Sequence, residues 1–188
     1  MSNGNSLTTD HLGALNKATN FTGTNSFRRF NFNIGPDALP AATLSVWARF
    51  TPGVVNPLSD VYAIVSHDDG PNDRELAIDY RSGSFGWSAF GGTGNPVIGG
   101  APYTAGQWTM LTAVYDNVAG TAALYVNGTQ ITQVSGSFLT PGVNFFLLGM
   151  NPNFPDIPFP GDLDDMLVFN KALSPAEVQL LYQTTAIP

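Results

Sequence analysis

The acidic side chains of this 188-residue chain are its clearest candidates for chemistry, and nearly all of them are aspartates. Residues 66–73 (Ser-His-Asp-Asp-Gly-Pro-Asn-Asp) form an oxygen-rich segment. Calcium takes about six to eight oxygen ligands from Asp, Asn and backbone carbonyls, although this segment lacks the EF-hand spacing. Two interpretations stay open: a calcium site, or a solvated turn that uses Asp, Gly and Pro for its geometry.

A further carboxylate, Asp164, favours the calcium interpretation. Strand alternation places Asp164 with Met166 and Val168, on the side expected to face the core. A carboxylate at the rim of a core needs a partner, which is either a set of backbone N–H groups or a cation. We therefore predict a metal site with Ca²⁺ as its candidate cofactor. The predicted ligands are Asp68, Asp69, Asp73 and Asp164.

Paired carboxylates could also support glycoside hydrolysis, which needs two of them across one bond. Glu75 and Asp79 share a strand parity, but Leu76, Ile78 and Tyr80 form the apolar side of that strand. The pattern therefore predicts that both carboxylates face solvent.

The remaining candidates for catalysis do not combine into a catalytic set. Glu177 belongs to a helix-capping motif, His11 lies in a polar N-terminal segment, and His67 lies in the acidic segment. No Ser-His-Asp or Cys-His arrangement is visible. We predict that the protein is not an enzyme and has no catalytic residues.

Aromatic side chains are the candidates for ligand contact, because their rings can stack on sugar rings. Aromatic residues of a β-sandwich usually lie in the core, whereas the loops at its ends commonly carry binding residues. The predicted ligand-binding residues are Phe154, Phe159, Tyr103 and Trp87.

Composition and charge exclude several classes of partner. The net charge is −7, with 7 Lys and Arg against 14 Asp and Glu, so phosphate backbones and anionic membranes are poor partners. The chain has no Cys, and no apolar run is long enough to span a membrane. The polar start, residues 1–11, predicts no signal peptide.

The elements that must position these residues are short strands. Apolar alternation interrupted by Gly, Pro, Asn and Asp is typical of a sandwich or a barrel. Strands are predicted at residues 18–21, 27–34, 43–50, 62–66, 74–80, 85–90, 108–115, 121–127, 130–134, 144–149 and 163–169. Residues 91–100 are predicted to form a flexible Gly-rich loop. We predict a polar, irregular N-terminal arm at residues 1–16 and one domain at residues 17–188.

Two local motifs predict specific structures. Asn127-Gly128 suits a type I′ turn, in which both residues have positive φ, and therefore predicts a hairpin. Ser174, Pro175 and Glu177 form the start of a short helix with a capping box.

Three segments together resemble the laminin-G-like, concanavalin A-like jelly-roll modules. They are residues 43–47 (Thr-Leu-Ser-Val-Trp), residues 107–128 (Gln-Trp-Thr-Met-Leu to Leu-Tyr-Val-Asn-Gly) and residues 159–174 (Phe-Pro-Gly-Asp-Leu-Asp-Asp to Ala-Leu-Ser). The resemblance implies an all-β, two-sheet antiparallel jelly-roll sandwich with one short C-terminal helix. Leu167 and the Pro-rich loop at residues 152–160 depart from the usual pattern.

The resemblance implies binding or display, because such modules bind glycans, bind proteins or serve as appendages of larger assemblies. We expect a non-catalytic carbohydrate-binding or adhesive module whose partner is a glycan or a protein surface. The alternative is a structural or decoration protein, which forms a homo-oligomer or joins a capsid or tail through residues 1–16. A glycoside hydrolase is the third and weakest reading. The expected location is extracellular or on a virion surface.

Overall fold

A computed structural model describes residues 2–22, 25–53, 61–68, 74–79, 86–91, 97–136, 143–155 and 157–187. Along this part of the chain the elements are β1 (Ser2–Asn3), β2 (Asn5–Thr8), β3 (Ala18–Thr22), β4 (Phe27–Phe30), β5 (Ala41–Phe50), β6 (Val61–Ser66), β7 (Glu75–Asp79), β8 (Gly86–Phe90), β9 (Val97–Pro102), β10 (Thr109–Asp116), β11 (Thr121–Val126), β12 (Thr129–Ser135), β13 (Phe146–Leu148), β14 (Pro160–Phe169) and α1 (Pro175–Thr185). Among the described residues, no helix is long and apolar enough to cross a membrane.

The strands form two seven-stranded antiparallel sheets. The first sheet has the spatial order β1-β4-β13-β6-β7-β8-β9, and the second has the order β12-β11-β10-β5-β14-β3-β2. The predicted all-β jelly-roll sandwich with one short C-terminal helix is confirmed.

The core between the sheets follows from side-chain alternation. In β5, Leu44, Val46, Ala48 and Phe50 are at most 1% exposed and belong to one apolar cluster. Successive strand side chains point to opposite faces, so the residues between these four lie on the outer face of the sheet.

Helix α1 covers part of that outer face. Its start has the predicted capping box, in which Ser174 and Glu177 exchange hydrogen bonds between side chain and backbone. Val178 is fully buried and packs in a second apolar cluster with Val114 and Tyr125. The helix therefore buries its apolar side against β10 and β11.

The predicted hairpin between β11 and β12 is also confirmed. Its turn residues Asn127 and Gly128 have φ of 49° and 75°, as a type I′ turn requires. A Cβ atom at Gly128 would lie 2.9 Å from the Cβ of Tyr182 in α1. Glycine is therefore required both by the turn and by the helix above it.

The N-terminal segment differs from the irregular arm that the sequence predicts. Its strand β1 pairs with β4, and β2 pairs with β3, so each adds an edge strand to one of the sheets. An edge strand with polar side chains shows little hydrophobic alternation, which is why the pattern did not mark it. The boundary at residue 16 and assembly through this segment stay predictions.

Part of the predicted Gly-rich loop is also a strand. Residues of β9 pair with β8 at the edge of the first sheet. A Cβ atom at Gly99 would lie 2.6 Å from the Oγ of Ser88, so the missing side chain permits this close pairing. The predicted strand at residues 27–34 is shorter than expected and ends at Phe30.

Candidate ligand site and candidate metal centre

A buried polar network lies at the end of β6 and the start of β7. The side-chain nitrogen Nδ2 of Asn151 donates to Oδ2 of Asp68 at 2.7 Å and to Oε2 of Glu75 at 2.9 Å. The hydroxyl of Ser66 donates to the same oxygen of Glu75 at 2.6 Å. We call Ser66, Asp68, Glu75 and Asn151 the Asn151 network.

The burial of this network corrects a prediction. Glu75 and Asp79 were predicted to face solvent, but each is only 4% exposed. The reason is that β7 lies inside the sheet between β6 and β8, and Asn151 reaches across to Glu75. A buried carboxylate needs donors, and Asn151 and Ser66 supply them to Glu75.

Asn151 also shapes the turn that follows it. Its Oδ1 accepts a hydrogen bond from the backbone nitrogen of Asn153 at 2.8 Å. The backbone nitrogen of Phe154 donates to the carbonyl of Asn151 at 3.2 Å. The Phe154 side chain is 58% exposed, as the sequence predicts. One asparagine therefore contacts two buried acids and supports the turn that presents an exposed aromatic ring.

The other predicted ligand-binding aromatics belong to the core. Phe159 is fully buried and Trp87 is 1% exposed. Tyr103 is partly buried, with its ring edge-on to Phe50 at 5.4 Å and to Trp87 at 5.8 Å. The rings of Phe159 and Trp87 fill the space between the sheets, so this structure does not expose them to a ligand as the sequence predicts.

The two predicted metal ligands that the structure describes, Asp68 and Asp164, do not belong to one group. Asp68 belongs to the Asn151 network, and Asp69 and Asp73 lie outside the described residues. Asp164 lies on β14 of the other sheet. Within the described ranges, the group of potential metal ligands that contains Asp164 consists of His11, Asp164 and Asp165, without Asp68. We call these three residues the His11 cluster.

The His11 cluster forms where β14 has an irregular pairing with β5 after Asp164. Nδ1 of His11 lies 2.6 Å from Oδ2 of Asp164, and Nε2 lies 2.7 Å from the carbonyl oxygen of Thr185. The ring of His11 stacks on Trp47, with centroids 4.3 Å apart. The cluster therefore links the N-terminal segment to β14 and to the end of α1.

The sequence predicts that Asp164 has either backbone N–H groups or a cation as its partner. The backbone nitrogens of His11 and Asp165 donate to its carboxylate at 3.3 and 3.0 Å. Backbone donors are therefore present, and the His11 ring adds a third partner. Burial raises the pKa of Asp165, and the nearby carboxylate of Asp164 raises it further.

A buried cation lies next to the Asn151 network in sequence. The guanidinium of Arg74 donates to the carbonyl of Ile34 at 2.7 Å and lies 4.8 Å over the ring of Tyr115. Burial lowers the pKa of Arg74 to about 10. Burial raises the pKa of Tyr115, and the hydroxyl of Tyr115 donates to the carbonyl of Phe90.

Sequence reasoning missed the roles of His11 and Asn151. His11 lies in a segment without alternation, and nothing near it indicates a partner 153 residues away. Asn151 precedes Pro152, and an Asn-Pro pair indicates a turn. That signal could have located the turn, but not the two acids that Asn151 contacts.

A match to a known protein family identifies the superfamily of this chain. The family model described as concanavalin A-like lectin/glucanases superfamily matches residues 15–179. The chain belongs to this superfamily. The predicted family resemblance is therefore confirmed. No curated protein sequence matches the chain.

Solved structures of this superfamily's fold include domains of bacterial toxins and of an arabinanase. The botulinum neurotoxin serotype D ligand binding domain in complex with N-acetylneuraminic acid has 15% identity and a TM-score of 0.71, with 97% of this chain and 45% of that chain covered. The botulinum neurotoxin type G receptor binding domain has 16% identity and a TM-score of 0.72, with 98% and 45% covered.

Domain 4 of AbnA, a GH43 extracellular arabinanase from Geobacillus stearothermophilus in complex with arabinotriose, has 22% identity and a TM-score of 0.65. This chain is covered to 92% and that chain to 79%. The chain thus spans less than half the length of the toxin domains but most of the arabinanase domain. At these identities the likeness shows the fold alone.

Proposed function

We propose that this protein is a non-catalytic glycan-binding module and that the turn carrying Phe154 contacts the sugar. The observation that carries the proposal is the exposed ring of Phe154 on a turn that Asn151 ties to two buried acids. Ligand sites of this kind combine an aromatic surface with a few fixed polar groups.

The physical reason lies in the rigidity of the turn. An exposed ring on a flexible loop loses conformational freedom when it binds, and that loss weakens binding. Here the side chain and the carbonyl of Asn151 both accept hydrogen bonds from the turn, so its backbone is held before a ligand arrives. A sugar ring has an apolar face that can stack on phenylalanine.

Two fold relatives support the same class of ligand. The toxin domain has been solved in complex with N-acetylneuraminic acid, and the arabinanase domain in complex with arabinotriose. Both are carbohydrates, although they differ in charge and in ring type. We therefore propose that the ligand is a carbohydrate, and a glycan array would identify the sugar.

The arrangement of the acids supports binding without hydrolysis. A glycosidase holds its bond to be broken between two carboxyl groups. In the Asn151 network, the amide nitrogen of Asn151 lies between Asp68 and Glu75, within hydrogen-bond distance of both. The amide therefore occupies the space that a substrate would need.

We also propose Asp68 as a ligand of calcium. The carboxylate of Asp68 suits Ca²⁺ as an oxygen ligand, and the predicted companions Asp69 and Asp73 lie one and five positions further along the sequence. A calcium ion bound by Asp68 would lie close to Asn151, so glycan binding should be measured with and without calcium.

A glycan array provides the test, with the purified chain applied once in about 2 mM Ca²⁺ and once in chelator. Binding to at least one glycan is expected, with Phe154→Ala reducing the signal at least about tenfold. The matched control is Phe30→Ala, which removes another exposed ring, one that lines a groove together with Asp164 and not with Phe154. If no glycan is bound in either condition, or if both variants bind as the wild type does, the proposal is wrong.

A further inference from the structure

The His11 cluster joins three parts of the chain that are distant in sequence: the segment between β2 and β3, the strand β14 and the end of α1. Its potential ligand atoms all lie within 4.8 Å of one another. We propose that His11, Asp164 and Asp165 bind a divalent first-row transition ion such as Zn²⁺. This proposal is independent of glycan binding.

The contact with Thr185 decides which nitrogen of His11 can bind a metal. A carbonyl oxygen only accepts, so Nε2, which lies 2.7 Å from it, carries a hydrogen. In the neutral ring the lone pair is then on Nδ1, the atom that faces Asp164. Metal-binding histidines are typically held in this way, because their other ring nitrogen donates to a carbonyl or a carboxylate.

Nδ1 of a neutral His11 and Oδ2 of Asp164 are both acceptors, yet they lie 2.6 Å apart. Two acceptors at this distance repel each other unless a positive charge lies between them. That charge is either a proton on the ring or a metal ion. Ligand atoms about 2.1 Å from a tetrahedral Zn²⁺ lie about 3.4 Å apart, so a movement of about 1 Å admits the ion.

The negative charges of the cluster suit a divalent cation. Asp164 and Asp165 are adjacent carboxylates, and Asp10 adds a third negative charge that acts on Asp165. A dication bound by both carboxylates relieves their repulsion.

A groove of about 120 Å³ gives the cluster an open side. Asp164 and Asp165 lie in its wall, and Lys17 and Arg28 are the basic residues that also line it. Water in this groove can supply the fourth ligand of a tetrahedral ion. The His11 side chain itself is only 2% exposed, so its ring is already held in place.

The ligand atoms indicate the class of metal. One imidazole nitrogen with two carboxylates suits Zn²⁺ and related transition ions, whereas Ca²⁺ prefers a larger set of oxygens. The inferred site therefore keeps Asp164 from the sequence prediction, replaces its companions and changes the expected ion.

Metal titration of the full chain tests this inference. The protein is freed of metal with chelator, dialysed, and melted at pH 7 with ZnCl₂, CaCl₂ or MgCl₂. An ion that binds only the folded state at about 100-fold excess over its Kd should raise the Tm by about 5–10 °C. That increase in Tm is expected for Zn²⁺ and not for Mg²⁺. Competition with a chromophoric chelator should give a stoichiometry of one Zn²⁺ per chain.

The key variant is Asp165→Asn, because Asp165 is exposed and Asn tolerates its positive φ of 43°. Its metal-free Tm should stay near that of the wild type while the response to Zn²⁺ is lost. Asp10→Asn is the matched control: it removes a nearby charge, retains an acceptor for Leu12 and Ala14, and should keep the response. His11→Gln should lose the response to Zn²⁺, and its metal-free Tm should be lower than that of the wild type.

Nitrogen NMR of the histidine rings provides a second measurement that does not depend on stability. Zn²⁺ should shift the resonance of Nδ1 of His11, while Nε2 keeps its hydrogen. The proposal is overturned if both ring nitrogens stay protonated at pH 7 in excess Zn²⁺. It is also overturned if the wild-type Tm does not respond to Zn²⁺, or if Asp165→Asn responds as strongly as the wild type.

Discussion

Asn151 and Asp68 are 83 residues apart in sequence, and the amide nitrogen of Asn151 donates to the Asp68 carboxylate at 2.7 Å. The same nitrogen donates to Glu75 at 2.9 Å, so one side chain joins the end of β6, the start of β7 and the turn before Phe154. The candidate glycan site depends on this contact.

Replacement of Asn151 by Ala should lower the free energy of unfolding by about 2–3 kcal/mol, because two buried carboxylates each lose a donor. Urea denaturation measures the change. Asn153→Ala is the control, since only the backbone of Asn153 contacts Asn151, and it should change stability by less than about 0.5 kcal/mol. Equal effects of the two variants would contradict the role given to the Asn151 side chain.

Phe154 and Phe159 should respond to Ala substitution in opposite ways. Phe154 is 58% exposed and Phe159 is fully buried, although both lie in the Pro-rich loop. Phe159→Ala should cost about 3–5 kcal/mol and lower the Tm by about 6–20 °C, whereas Phe154→Ala should leave the Tm nearly unchanged and reduce glycan binding. Thermal melts and the array together test this. A large loss of stability in Phe154→Ala would show that its ring is not free for a ligand.

Tyr115 should make the protein sensitive to alkaline pH. Burial raises the pKa of its hydroxyl, so the folded state favours the neutral form. The stability this provides is complete below the ordinary tyrosine pKa of about 10 and is lost as pH rises above it. Urea denaturation at pH 8 to 11 should therefore show a steeper loss in the wild type than in Tyr115→Phe. Parallel pH profiles would exclude Tyr115 as the cause.

Glu177 should make α1 sensitive to acid. Hydrogen bonds from Lys171 and Ser174 lower the pKa of Glu177 from 4.5 to about 2. A lowered carboxylate pKa stabilises the fold above the unfolded pKa, and this stability disappears as pH falls towards 2. The difference in Tm between the wild type and Glu177→Gln should thus be constant above pH 5 and vanish near pH 2. Lys171→Met keeps the capping box, so its Tm should differ from that of the wild type by less than the Tm of Glu177→Gln does.

Several parts of the fold could be predicted because their signals are local. The turn at Asn127 and Gly128 follows from positive φ at two adjacent residues, and the helix start follows from the capping box of Ser174 and Glu177. Alternation in β5 likewise identifies the face that enters the core. Each signal lies within one element, so the arrangement of the other strands is not needed to interpret it.

The Pro-rich loop shows where such signals end. Phe154 and Phe159 have the same side chain and lie five positions apart, but one is exposed and the other is core. A loop has no fixed period, so its sequence does not indicate which residues face inward. Glu75 is a similar case. It lies on the polar side of β7, and Asn151, from a distant part of the chain, covers it.

The sequence by itself determined the sandwich, the hairpin and the capped helix. Only the tertiary structure decided that His11 contacts Asp164 across 153 positions and that Asn151 contacts Asp68. Hydrophobic periodicity reports the backbone state of a segment and the face that it buries. The order of strands in the sheets decides which polar side chains meet, and no short segment contains that information because it arises from the packing of the whole chain.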